Sequence, residues 1–137
     1  MAEIHRIDKL PDSEKITLNL GYVDLGQIDL LVSERFYSNR TDFIRTAIRN
    51  QLSTHAEAVR QVVARKTFVL GVQQFARADL EAVLAAGERL QIRVLGLARI
   101  ADDVSAELAV ATIESIAVLG ALQASSAVKA ALASRIS

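Results

Sequence analysis

Residues 14–20, EKITLNL, alternate strictly between polar and apolar. Ile16, Leu18 and Leu20 fall on one side, and Lys15, Thr17 and Asn19 on the other. That period of two predicts a half-buried strand, ended by Gly21. The pattern then turns helical. Over residues 23–34, VDLGQIDLLVSE, the positions Leu25, Ile28, Leu31 and Val32 form an apolar stripe at three- and four-residue spacing. Asp24 suits the N-terminal end through the helix dipole, whereas Gly26 weakens the helix by about 1 kcal/mol relative to alanine. The segment ERFYSN breaks the stripe. Asn39 then reads as an N-cap, with Asp42 three residues later completing a capping box. A second helix is predicted from there. Phe43, Ile44, Ala47, Ile48, Leu52, Ala56, Val59, Val62 and Val63 keep helical spacing as far as Arg65. Unbroken, it runs for about 26 residues, or roughly 39 Å. Ser53, Thr54 and His55 are weaker helix formers and mark where it can break.

The C-terminal half repeats itself. Aligning Ile92–Ala109 with Ile116–Ala133 at an offset of 24 leaves eight of eighteen positions identical, among them Val-Leu-Gly at 94–96 and 118–120. An earlier copy starts at Phe68 and carries Val69-Leu70-Gly71. It needs a one-residue shift to set Leu80 and Leu84 on Val104 and Leu108. Each unit reads as a short apolar strand, a turn and a short alanine-rich helix, an order that predicts parallel strands. Such units bury their apolar faces only by stacking. Ala121, Ala124, Ala127, Ala130, Ala131 and Ala133 permit close helix–strand approach.

Composition narrows the picture. Of 137 residues, 51% are apolar but only 4% aromatic, so any core is aliphatic. Cysteine is absent, which excludes disulfides, zinc–thiolate sites and thiol catalysis. The longest uncharged run, Ser115 to Val128, is too short for a membrane span of about 20 residues. The charged, mixed first ten residues do not read as a signal peptide. Together these suggest a cytoplasmic protein. Sixteen basic and sixteen acidic residues cancel. A neutral chain lacks the basic excess common in nucleic-acid binders, so any such function depends on where the cations sit.

No nucleophile–base set, phosphate loop or metal-ligand spacing is present. Asp102 and Asp103 fall at a strand-to-helix turn, where acids favour the following helix N-terminus. His5 and His55 are isolated. The expectation is no enzyme, no metal and no cofactor.

One short strand is not stable alone. The economical solution is a two-fold dimer in which two copies of EKITLNL pair antiparallel. Four helices would then cover Ile16, Leu18 and Leu20. Lys15, Thr17 and Asn19 of both chains would share one solvent-facing ribbon. A two-stranded ribbon fits the B-DNA major groove, where Lys can meet guanine, Asn can meet adenine, and Thr can serve through its hydroxyl or methyl.

EKITLNL followed by GYVDLGQIDLLVSERFYSNRTDFIRTAIRNQL resembles the ribbon-helix-helix DNA-binding domain of the CopG/MetJ/Arc type. FYSNRTDFIRTAIRNQL is the most specific stretch, and the likeness covers about residues 14–53. The resemblance implies base reading by Lys15, Thr17 and Asn19. It implies a phosphate grip by Ser38, Asn39, Arg40 and Thr41 at the start of the second helix. It implies a dimer core holding Ile16, Leu18, Leu20, Ile44 and Ile48. Arg45 and Arg49 are further candidates for phosphate contact, or for ion pairs on a solvated face, with Asp42 in reach of Arg45 or Thr46. One departure stands out: many members carry glycine where Phe36 stands. The layout is also similar to that of nickel-responsive regulators, but two histidines and no cysteine do not supply their metal site.

The expected fold class is α/β: a flexible arm over 1–13, a ribbon-helix-helix dimerisation and DNA-binding domain over 14–66, and a βα-repeat oligomerisation domain over 67–137. The expected function is a nucleoid-associated transcriptional regulator of bacterial or archaeal type, a repressor on double-stranded DNA. It would be a homodimer through the ribbon and a higher homo-oligomer through 67–137. Two alternatives differ in the C-terminal half. In an antitoxin that half wraps a toxin protein, although such segments are usually polar. In a small-ligand sensor of βαββαβ type, residues 105–115 would have to be strand.

Overall fold

The computed structural model describes residues 12–137. The proposed arm, with Pro11 and His5, falls almost wholly outside the described residues. The chain divides into two compact units, residues 1–59 and 60–137.

The first unit is helical. Helix α1 spans Tyr22–Ser33 and α2 spans Arg40–Thr54. Helix α3, Ala56–Lys66, follows at once, its last seven residues belonging to the second unit. His55, at φ −103° and ψ 10°, separates α2 from α3, so the break falls within the weak Ser53–His55 segment. Residues 14–21 form no regular secondary structure within one chain. The α1–α2 turn holds the only left-handed non-glycine residue of this unit among those described: Arg35, at φ +68°. Arg35 holds the left-handed conformation that favours glycine; Phe36, where many members carry glycine, does not. Tyr37 and Phe43 pack edge to face across the turn, with ring centroids 5.0 Å apart.

In this unit Ile28 is the one buried hydrophobic side chain among the described residues, while Leu30, Phe36, Ile48 and Leu52 are exposed. A unit that leaves this much apolar surface bare lacks the burial needed to offset its ordering entropy alone.

The second unit is a parallel sheet of three strands in sequence order, β1 (Val69–Phe75), β2 (Leu90–Ile100) and β3 (Ile113–Gln123). Helices α4 (Arg77–Ala85), α5 (Ala106–Thr112) and α6 (Ser126–Ala131) follow the strands in turn. Residues 105–115 are thus mostly helix, which departs from the βαββαβ ligand-sensor arrangement. In the strands the repeat is borne out row by row. Val69, Val94 and Val118 are neighbours across the sheet; so are Leu70, Leu95 and Leu119, and Gly71, Gly96 and Gly120. Leu80, Val104 and Val128 are all buried, but Leu80 and Val128 lie within α4 and α6 whereas Val104 precedes the cap of α5. The expected one-residue shift that sets Leu80 on Val104 is not kept: the caps Ala76, Ser105 and Ser125 follow Val69, Val94 and Val118 by seven, eleven and seven residues, so the units differ in the turn between strand and helix.

The core lies on the helix side of the sheet. Ile92, Val94, Ala98, Ile100, Ile113 and Ile116 meet Leu80, Val104, Ala109, Val128 and Leu132 there. Thr112 is the buried polar residue of this core, and its hydroxyl donates to the Leu108 carbonyl at 2.7 Å. Ser105 and Ser125 cap α5 and α6, accepting from the N–H groups of Leu108 and Val128. The guanidinium of Arg135 donates to the carbonyls of Val110 and Ile113, both at 2.8 Å, and ties the C-terminal segment down.

The three stacked glycines have φ of +128°, +137° and +116°. A Cβ on Gly96 would collide with the Gly71 carbonyl oxygen, and one on Gly120 with that of Gly96. Two constraints, a left-handed backbone and a neighbouring carbonyl, select glycine here.

Candidate nucleic-acid interface

The candidate base readers Lys15, Thr17 and Asn19 lie on the segment before α1 and are all exposed. On the alternate positions Ile16 is 80% and Leu18 63% exposed, and Leu20 is half-buried. Among the described residues the apolar side of this segment is mostly uncovered. Of the other two proposed dimer-core residues, Ile44 is half-buried and Ile48 exposed on α2.

The candidate phosphate grip gathers at the start of α2. The Asn39 side chain accepts from the Asp42 N–H at 2.8 Å, as an N-cap should. The Asp42 carboxylate reaches back to the N–H of Ser38, at 2.9 Å, one residue earlier than a capping box requires. The Ser38 N–H and the Asn39 side chain are therefore engaged in shaping the turn. The N–H groups of Arg40 and Thr41, in the first helical turn, have no carbonyl within the helix to bond, so they are the donors an anion would meet.

Arg40 adds a charge, but that charge is shared. Its guanidinium grips Asp29 of α1 through two bonds, Nε to Oδ1 at 2.8 Å and Nη2 to Oδ2 at 2.9 Å. The hydrogen bond and the charge of Arg40 hold the Asp29 carboxyl below the ordinary aspartate range. Asp29 was not singled out from the sequence. It lies eleven residues before Arg40, a spacing that only the α1–α2 turn brings together. Asp42 reaches Thr46 through its backbone, the Thr46 hydroxyl donating to the Asp42 carbonyl at 2.8 Å, while its carboxylate stays with Ser38. A hollow of about 300 Å³ opens beside the turn, lined by Val32, Arg35, Phe36, Tyr37, Ser38 and Asp42.

The His55 ring lies 3.3 Å from the Gln51 side chain. No group of three or more His, Asp or Glu able to hold a metal occurs among the described residues. No helix among them is long and apolar enough to cross a membrane.

The model of the Ribbon-Helix-Helix transcriptional regulator family matches residues 11–129. No curated protein and no solved structure matches the chain. The match extends through both compact units, well past the stretch at 14–53 in which the resemblance was legible.

Proposed function

This chain belongs to the Ribbon-Helix-Helix transcriptional regulator family, and from that premise we propose that it is a dimeric, sequence-reading repressor. Regulators of this family bind DNA and typically dimerise. In the reading we favour, residues 14–20 of two copies pair antiparallel. The paired segments bury Ile16, Leu18 and Leu20 against α1 and α2 of both chains. Lys15, Thr17 and Asn19 then line one ribbon in the major groove and supply donors and acceptors to base edges. The first turn of α2 holds the flanking phosphates through the N–H groups of Arg40 and Thr41, which fixes register without reading sequence.

The observation that carries this reading is the bare apolar side of residues 14–20. It has the period of a strand and, among the described residues, no strand beside it. A second copy of the segment satisfies both its backbone groups and its apolar side. Residues 14–66 form the DNA-reading domain. Residues 67–137 join dimers into a higher oligomer, so that several ribbons act at raised effective concentration. Such linkage offsets the lack of a net positive charge.

The test starts with a randomised duplex library bound to the full chain, which yields a preferred duplex. Lys15→Ala/Asn19→Ala should weaken binding to that duplex by about 10- to 100-fold and leave a scrambled duplex nearly unaffected. Thr41→Pro, which removes one N–H donor from the first turn without breaking a bond within the helix, should weaken both alike. Equal loss on both duplexes for the double variant would show that the segment does not read bases.

A further inference from the structure

The three-stranded sheet ends in two edges that match each other. We propose that they pair between copies: the outer edge of β3 in one chain takes β1 of a second chain as its next parallel strand. This rests on the reading that residues 67–137 assemble the protein, and it names the surfaces and their polarity.

The first observation is a vacancy. Gly96 and Gly120 each have a carbonyl oxygen where a Cβ would be, supplied by the glycine of the preceding strand. Gly71 has the same left-handed backbone, φ +128°, yet nothing lies within 4 Å of its Cβ position. It is shaped like an interior member of the row but has no predecessor. The Gly120 carbonyl of a second copy is the group that the repeat would put there.

The second observation is the register. β1 meets β2 with an offset of 25, Val69 on Val94, and β2 meets β3 with an offset of 24, Val94 on Val118. A further strand in the same register sets Val69 of the second copy beside Val118, Leu70 beside Leu119 and Gly71 beside Gly120. Ile136 bridges β3 in parallel at Ile116, and the Ser137 N–H donates to the Ile116 carbonyl at 2.9 Å. That bridge lies in the row of Ile92 and Ile116, two residues before Val118, where β1 of the second copy would begin its pairing with Val69.

The third observation is that neither edge is protected. Exposed sheet edges are ordinarily blunted by charge or proline. β1 reads VLGVQQF and the open part of β3 reads VLGALQ, with no charged residue and no proline in either. Leu70 is 66%, Val72 61% and Leu119 60% exposed.

The contact is head to tail, so it closes into a ring or extends as a filament according to the rotation at each step. A chain without cysteine allows a direct test with Leu70→Cys and Leu119→Cys, both at exposed positions. Adjacent strands lie about 4.8 Å apart, within the roughly 4.4–6.8 Å that a disulfide bridges. Within one chain the two positions are two strands apart, about 9.6 Å, out of reach. Under mild oxidation the double variant should form a ladder of covalent multimers on a non-reducing gel, and each single variant should not. Leu119→Lys should reduce the light-scattering mass of the full chain to that of a dimer. If the wild-type mass is itself only a dimer, the assembly reading fails and this proposal with it. If the mass is larger but the double variant does not link, or a single variant links as readily, assembly stands and the edge pairing is wrong.

Discussion

Arg40 and Asp29 meet as a two-pronged pair across the α1–α2 turn, with Nε and Nη2 of the guanidinium each on one carboxylate oxygen at 2.8 and 2.9 Å. The pair ties the start of α2 to the middle of α1, and it ties up a cation at the place where the family is expected to hold phosphate. Both side chains are about half exposed. The pair therefore orders the turn more than it stabilises the unit.

Asp29→Asn releases that cation. The expected outcome is tighter binding to DNA of any sequence. The plot of log affinity against log salt should steepen by roughly 0.9, the value of one added phosphate contact. Fluorescence anisotropy on a scrambled duplex, over a salt series, measures it. An unchanged slope would mean that Arg40 already contacts phosphate while paired, or never does.

The same pair sets a pH dependence. The folded Asp29 carboxyl has a lowered pKa. Its stabilising share is therefore present above the unfolded value of about 3.9 and is lost as the pH falls through the lowered folded value. Urea midpoints measured from pH 5 downward should fall less steeply for Asp29→Asn than for the wild type, with little difference in slope between pH 5 and 7.

The glycine row predicts a graded series. Gly96→Ala and Gly120→Ala combine a left-handed backbone with a collision against the preceding carbonyl. Each should cost about 3 kcal/mol or more. Gly87→Ala, at φ +68° with open space around it, should cost only about 1–2 kcal/mol. Thermal melts of the three variants rank them. Equal losses would mean that backbone conformation alone, and not the stacking, selects glycine in the strands.

Arg35 and Thr67 are non-glycine residues in left-handed conformation, at φ +68° and +54°. Relieving that strain should stabilise the chain, reduced by the entropy that glycine adds to the unfolded state. Arg35→Gly and Thr67→Gly should each gain up to about 1 kcal/mol, read as a melting midpoint roughly 2–5 °C higher.

Local patterns foretold most of this molecule. Helical stripes and caps gave α1 and α2, and the break fell at the weak formers Ser53–His55. The Val-Leu-Gly repeat foretold three parallel strands because identical neighbours stack alike, but it did not place the helices, whose caps stand at unequal distances from the glycine row. What escaped were relations that no local period encodes. Asp29 and Arg40 are brought together by a turn. Arg35 carries the left-handed conformation, and Phe36, where many members carry glycine, does not. The Ser38 N–H is engaged by Asp42 because the carboxylate reached one residue further than the capping box requires. Lys15, Thr17 and Asn19 are legible as one side of an alternating segment, but their task depends on a second chain.

The in-register rows of the sheet have a consequence for how such a chain changes over time. Removing residues 94–117 would rejoin Arg93 to Val118, like with like, and doubling them would add a further layer with its own helix. Size in this half can therefore vary by whole layers of about two dozen residues while the two ends, and whatever they meet, stay the same. Stability would change in matching steps, since each layer touches only the next.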